Sequence, residues 1–166
     1  MKKGTRVALA TGGVVLVTAE VVILAGVLTG WFQGATVPEK ITISSEYVCS
    51  ANEAEEFINL TPEEYEKLVE NEKSFVIFVD QGGCATADGL RAMMIQYARE
   101  NGLKLNRIVF SDMRKTSLHD EVKHYPSVAL VSDGKVAAHL RADSDADTDK
   151  FSDYAELSKW LDSYLK

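Results

Sequence analysis

The stretch Ser74-Phe75-Val76-Ile77-Phe78-Val79-Asp80-Gln81-Gly82-Gly83-Cys84-Ala85-Thr86-Ala87 sets the architecture of this chain. From Phe75 to Val79 it is apolar at odd and even positions alike. A strand without a polar face is buried on both faces, the condition of a central strand covered by helices on two sides. Asp80-Gln81-Gly82-Gly83 interrupts the run, and Cys84 opens the next element. Beyond it Leu90, Met93, Met94, Tyr97 and Ala98 recur at helical spacing, and Asn101-Gly102 supplies a stop. The stretch therefore predicts strand, tight turn and helix, with a single thiol at the head of the helix.

Upstream of it, Phe57-Ile58-Asn59-Leu60 is a short strand candidate. Thr61-Pro62-Glu63-Glu64 is a helix start, because Thr61 caps, Pro62 suits the first turn and Glu64 completes a capping box. That helix is expected to run to about Asn71 with Tyr65 and Leu68 inward. Downstream, Leu105 to Phe110 reads as a strand and Ser117 to Lys123 as a short helix. Val128–Val131 and Val136–Leu140 flank Asp133-Gly134, a strong hairpin signal. A last helix starts near Asp153 and buries Tyr154, Leu157, Trp160, Leu161 and Tyr164. The predicted order is strand, helix, strand, helix, strand, helix, hairpin, helix.

The N-terminal part is of another kind. Lys2, Lys3 and Arg6 precede an apolar stretch from Val7 to about Phe32, broken only by Gly, Thr and Glu20. About 20 apolar residues cross a bilayer as a helix. Residues 7–32 are therefore expected to be a transmembrane signal anchor and residues 1–6 a cytoplasmic tail, with the positive charge holding the N-terminus inside. A cleaved signal peptide is the competing reading, but the apolar stretch exceeds the usual ~7–15 residues and Gln33-Gly34-Ala35 is a poor cleavage site. Residues 33–55 read as an extracytoplasmic tether and 56–166 as one domain. Beyond residue 32 the chain holds 15 basic and 24 acidic residues, a net charge of −9. Such a surface excludes nucleic acid as a partner and suits a solvated domain outside the plasma membrane, where disulfides persist.

The order of elements, with Cys84 heading the second helix, Tyr125-Pro126 opening a strand and Asp133-Gly134-Lys135 in the hairpin, resembles the thioredoxin family. The likeness covers about Phe57 to Lys166. It implies an α/β, three-layer fold around a mixed central sheet, here preceded by one transmembrane helix. It also implies a cis Pro126 facing Cys84, with Tyr125-Pro126 contacting substrate. Tyr65 to Val69 and Phe75 to Phe78 are also similar to the membrane-tethered, thioredoxin-like accessory proteins of Gram-positive bacteria, including bacteriocin-export accessories. The pattern departs from the family at three places. Ala87 stands where the motif Cys-x-x-Cys has its second thiol, Gly83 where a Trp usually precedes the first, and Phe78 where a buried acid is typical.

A thiolate at a helix N-terminus is favoured by the free N–H groups there, so Cys84 can attack a disulfide. Without a cysteine at position 87 it cannot release the mixed disulfide locally. Cys49, 35 residues earlier, is the candidate resolving or disulfide partner; a bridge would close a loop worth about 3–4 kcal/mol. A free Cys49, or one that pairs with another chain, and a structural Cys84 are the alternatives. His124 lies near the same loop. His119 and His139 make no zinc set with the cysteines, and no other metal or cofactor is expected. Asp145, Asp147, Asp149 and Glu156 match the spacing of a calcium loop, but Lys150 replaces its glycine. Two functions are thus expected: thiol–disulfide exchange or mixed-disulfide capture of exported proteins by Cys84, or a non-catalytic peptide-binding accessory of an export or cell-envelope complex.

Overall fold

The computed structural model describes residues 40–54 and 57–166. The expected tail and span at 1–32, Glu20 included, and the first part of the tether lie outside them. Among the described residues no helix is long and apolar enough to cross a membrane.

Five strands, β1 (Phe57–Asn59), β2 (Phe75–Asp80), β3 (Leu105–Val109), β4 (Ser127–Ser132) and β5 (Lys135–His139), form one sheet in the order β1-β3-β2-β4-β5. The first three run parallel, and β4 and β5 are antiparallel additions beside β2. Among the described residues four helices cover it: α1 (Pro62–Glu70), α2 (Ala85–Asn101), the single turn α3 (Phe110–Met113) and α4 (Tyr154–Tyr164). Every residue of β2 is buried. Val76 and Phe78 pack with Leu90 and Met94 of α2 and Leu157 and Leu161 of α4. Phe75, Ile77 and Val79 pack instead with Tyr65 of α1 and Met113 of α3. The alternation of the strand thus splits the core into two layers, one on each side of the sheet. This is the mixed α/β, three-layer architecture expected from the sequence.

The helix signals hold in detail. Thr61 and Glu64 form the capping box, with Thr61 N–H donating to Glu64 Oε2 at 2.8 Å. The Asp133-Gly134 turn has both residues at positive φ, 48° and 73°, as a tight hairpin between right-twisted strands requires. Three local elements differ from expectation. Phe110 ends no strand but opens α3; the helix at 117–123 is a 3-10 turn, Ser117–Asp120; and a 3-10 segment, Asp145–Phe151, precedes the last helix. Tyr154, Trp160 and Tyr164 of that helix are half-buried and pack against the core, in which only Leu157 and Leu161 of the helix are fully buried.

Residues 40–54, expected to be tether, are part of the domain. Ile41 N–H donates to Tyr164 O at 2.7 Å, and Ile41 bridges Leu165 in parallel. Tyr47 is 6% exposed, with its ring 5.8 Å from that of Phe75. Cys49 N–H donates to Gly102 O at 2.8 Å. Gly102 ends α2 at φ 61°, and a Cβ there would stand 2.6 Å from the Cys49 carbonyl oxygen. Only glycine permits both the left-handed cap and this approach.

Candidate functional site

The site is built where β2 hands the chain to α2. Gly83 lies at φ +82°, a conformation that β-carbon-bearing residues adopt only at a cost. Glycine at this position is thus a demand of the turn, and not simply a lost aromatic. Cys84 follows as N-cap of α2, half-buried, with extended backbone angles and no side-chain cap bond. Its carbonyl accepts the first helical bond, from Asp88 N–H at 3.1 Å. The first N–H groups of the helix therefore point past the cysteine without a capping side chain.

The second half of the site comes from β4. Ser127 pairs with Val79 at the end of β2, so the residues just before it lie beside the β2–α2 turn. The Tyr125–Pro126 peptide bond is cis. Cys84, Thr86, Tyr125, Pro126, Ala142, Thr148 and Phe151 line one open groove of about 340 Å³. Tyr125 is 40% exposed, and its ring rests on Phe110 with centroids 4.7 Å apart. The structure thus brings Cys84, Tyr125 and Pro126 together, the set the sequence suggested.

It does not bring Cys49 to them. Cys84 precedes α2, and Cys49 is hydrogen-bonded to Gly102, which follows it. Eighteen residues of helical rise separate these ends by about 27 Å, whereas bridged cysteines need Cα atoms within about 7 Å. Both thiols are free. The bridge considered from the sequence would require unfolding one end of the domain. Accordingly, peptide mapping of the air-oxidised protein is expected to yield no Cys49–Cys84 linked pair under native conditions; finding one as the main product would refute this geometry.

His124 is engaged elsewhere, with Nε2 3.5 Å from Asp143 Oδ2, and lines a separate cavity with His139. Burial pulls the His139 imidazole below its ordinary value. Asp147 is occupied by Lys150 at 2.9 Å and by the Arg141 backbone N–H at 2.9 Å. Desolvation raises its carboxyl, but those donors outweigh burial, and the net shift is downward. Among the described residues no cluster of three or more metal-ligating side chains exists, so the calcium-loop spacing does not become a site.

One part of the site escaped the sequence reading. The buried acid absent at Phe78 has a counterpart two residues on, because Asp80 is fully buried at the end of β2. It pairs with Arg91 of α2 and with Arg107 of β3, the latter at 2.7 Å. Arg107 also donates to Asn59 Oδ1 at 2.8 Å, and the Arg91 guanidinium lies 5.9 Å from the Phe57 ring centroid and 5.8 Å from that of Phe78. The Arg107 contact is an ion pair without hydrogen-bond alignment, and the buried Nε atoms of both arginines lack acceptors. Asp80 is thus committed to two cations and ties α2 to the strand end that leads to Cys84. The signal was there: Asp80 and Arg107 are the lone charges of two apolar strands, with opposite signs.

No family model matches this sequence, and no curated protein does. Solved structures do match in shape. A mutant thioredoxin from Halobacterium salinarum superposes with a TM-score of 0.52 at 14% identity, over 68% of this chain and 94% of that one. A thioredoxin from Trypanosoma brucei brucei gives 0.50 at 12% identity, over 66% and 90%. The fold is the thioredoxin fold. At these identities the likeness concerns the arrangement of the backbone, so the chemistry of this thioredoxin-fold domain rests on its own residues.

Proposed function

We propose that this chain is a membrane-anchored, extracytoplasmic protein that uses Cys84 for thiol–disulfide exchange with exported proteins. The observation that carries the reading is the placement of one half-buried thiol at the uncapped head of α2, in one groove with Tyr125 and Pro126. A second feature supports it. The described chain joins the domain at Ile41, beside Leu165 and near Ser74, which precedes β2, while Cys84 follows the other end of that strand. Six strand residues span about 20 Å. Ile41, where the described chain first pairs with the domain, and the thiol thus stand at opposite ends of the sheet. Membership of the bacteriocin-export accessory type, and a place in an envelope complex, are the finer forms of this proposal.

The chemistry is limited to one thiol. The Cys84 thiolate attacks one sulfur of a client disulfide, the Cys84–client S–S bond forms, and the other client sulfur leaves as a thiolate. Ala87, 1% exposed in the first turn of α2, offers no second thiol. Release therefore requires a thiolate from outside the domain. When that thiolate belongs to the client, the client disulfides are rearranged and Cys84 is regenerated with no net oxidation. The helix end offers N–H groups to the charged sulfur during both steps.

The test uses the full chain in detergent micelles with Cys49→Ser, and peptides carrying a cysteine as a mixed disulfide with thionitrobenzoate. Release of one equivalent of thionitrobenzoate, with the peptide mapped to Cys84 and a rate above that of free cysteine, is the expected result. A rate no greater than that of free cysteine overturns exchange and leaves the groove as a non-catalytic peptide-binding surface.

A further inference from the structure

A second cavity, of about 200 Å³, backs onto the groove and lies between residues 121–124 and 139–143. The first of these segments leads into Tyr125-Pro126 on one wall of the groove. The second leads into the 3-10 segment Asp145–Phe151, which supplies Thr148 and Phe151 to the other. Ala142 lines both spaces. The second wall is tied to the sheet at Leu140. Its N–H donates to Val128 O at 2.9 Å, its carbonyl accepts from Ser127 Oγ at 2.6 Å, and its side chain is buried. The residue just before it, His139, ends β5 opposite Ala129 and is half-buried in the cavity.

We propose that His139 is a proton-operated latch on this wall: while its imidazole is neutral, residues 140–151 stay docked, and its protonation releases them. The latch acts on the wall, so it goes beyond the exchange proposed for Cys84 and stands without it. An imidazolium needs water or an acceptor, and a half-buried ring beside an apolar strand finds little water. The charges around it are mixed. Glu121, Lys123 and His124 share the cavity from the preceding loop, Arg141 and Asp143 from the turn that follows, and Asp147 acts from the 3-10 segment. Asp143 is already held by Arg141 at 3.2 Å and Asp147 by Lys150 at 2.9 Å. Desolvation therefore prevails, and the imidazole titrates below its ordinary value.

In the released state the ring is hydrated and returns to that ordinary value, 6.5. Docking is thus fully supported above about pH 6.5. As pH falls below it, the released state takes up a proton that the docked state refuses, and release becomes more favourable. His124 acts in the opposite sense, since its protonation strengthens the 3.5 Å pair with Asp143 that bridges the two segments. Both partners of that pair are about half exposed, so water screens it and the buried ring decides the sign.

Hydrogen exchange of the full chain in detergent micelles tests the latch, read by mass spectrometry at about pH 7.5 and about pH 5 on either side of the imidazole range. Rates are corrected for the intrinsic pH dependence of amide exchange. Peptides covering residues 140–151 are expected to lose protection about five-fold at the lower pH, while those covering α1 keep theirs. His139→Phe and His139→Gln cannot take up the proton, and each should hold the protection of 140–151 equal at the two pH values. His124→Gln should leave the five-fold loss in place. Unchanged protection in the unaltered chain, the same loss in either His139 variant, or an equal loss across α1 overturns the proposal. Disappearance of the pH response in His124→Gln would move the switch to the exposed pair and overturn it equally.

Discussion

Cys84→Ser is expected to abolish thiol exchange and, in the same protein, to raise stability by about 0.5–1 kcal/mol. The two effects have separate causes. Exchange ends because a serine hydroxyl at this position is not a nucleophile toward disulfides, and no second thiol can take over. The other cysteine, Cys49, is held at Gly102 beyond the far end of α2. Stability rises because Cys84 sits at the N-cap in extended geometry, φ −103° and ψ 112°, without a side-chain cap bond. Serine is among the best residues there, its hydroxyl accepting from a first-turn N–H. A cysteine where serine would hold the helix better is the pattern of a residue retained for chemistry at some expense in stability. Urea denaturation of the full chain measures one arm and thionitrobenzoate release the other. Exchange that persists in Cys84→Ser and vanishes in Cys49→Ser would assign the chemistry to the wrong end of the helix and refute the site.

Asp80→Asn is expected to cost about 3 kcal/mol, a large fraction of the roughly 5–15 kcal/mol that holds a domain of this size. Asp80 is fully buried, and its carboxylate compensates two guanidiniums. The amide would leave both cations without a counter-charge. Arg91, with about a third of its side chain exposed, can turn toward water; Arg107, at 19%, is more confined beside Asn59. The loss should therefore come mainly from Arg107, and adding Arg107→Met to Asp80→Asn should recover part of it in a double-mutant cycle. Denaturant midpoints at unchanged slope are the measurement. A loss below about 1 kcal/mol would mean that water reaches the cluster and already compensates the arginines.

The same cluster shows why the sequence reading of the site was incomplete. The family pattern directs attention to the residue six positions before the cysteine, and Phe78 stands there. What matters physically is the face of the strand, which Phe78 and Asp80 share because their side chains alternate with period two. Arg91 and Arg107 come from elements 11 and 27 residues away in sequence, and nothing local marks them as partners of Asp80. The cap at Thr61, the hairpin turn at Asp133-Gly134 and the αL stop at Gly102 were legible because each is a short-range requirement of backbone geometry. The docking of residues 40–54 was not. It depends on isolated bridges from Ile41 to Leu165 and from Val48 to Leu103, on the Cys49–Gly102 hydrogen bond and on Tyr47 reaching Phe75, contacts with no local periodicity.

Residue order alone was enough to establish the layers of the domain, the place of Cys84 at a helix head, the meeting of that thiol with Tyr125-Pro126, and the lack of a second thiol at Ala87. These follow from hydrophobic period, turn chemistry, residue identity and a family likeness built on them, and all but the last act over a few neighbours. Three further facts needed the folded chain: Cys49 stands a helix length from Cys84, a buried acid remains at Asp80 between two arginines, and the 3-10 segment Asp145–Phe151 supplies Thr148 and Phe151 to the groove. Each of those joins residues distant along the chain, and the packing of α2 against the sheet sets their separation.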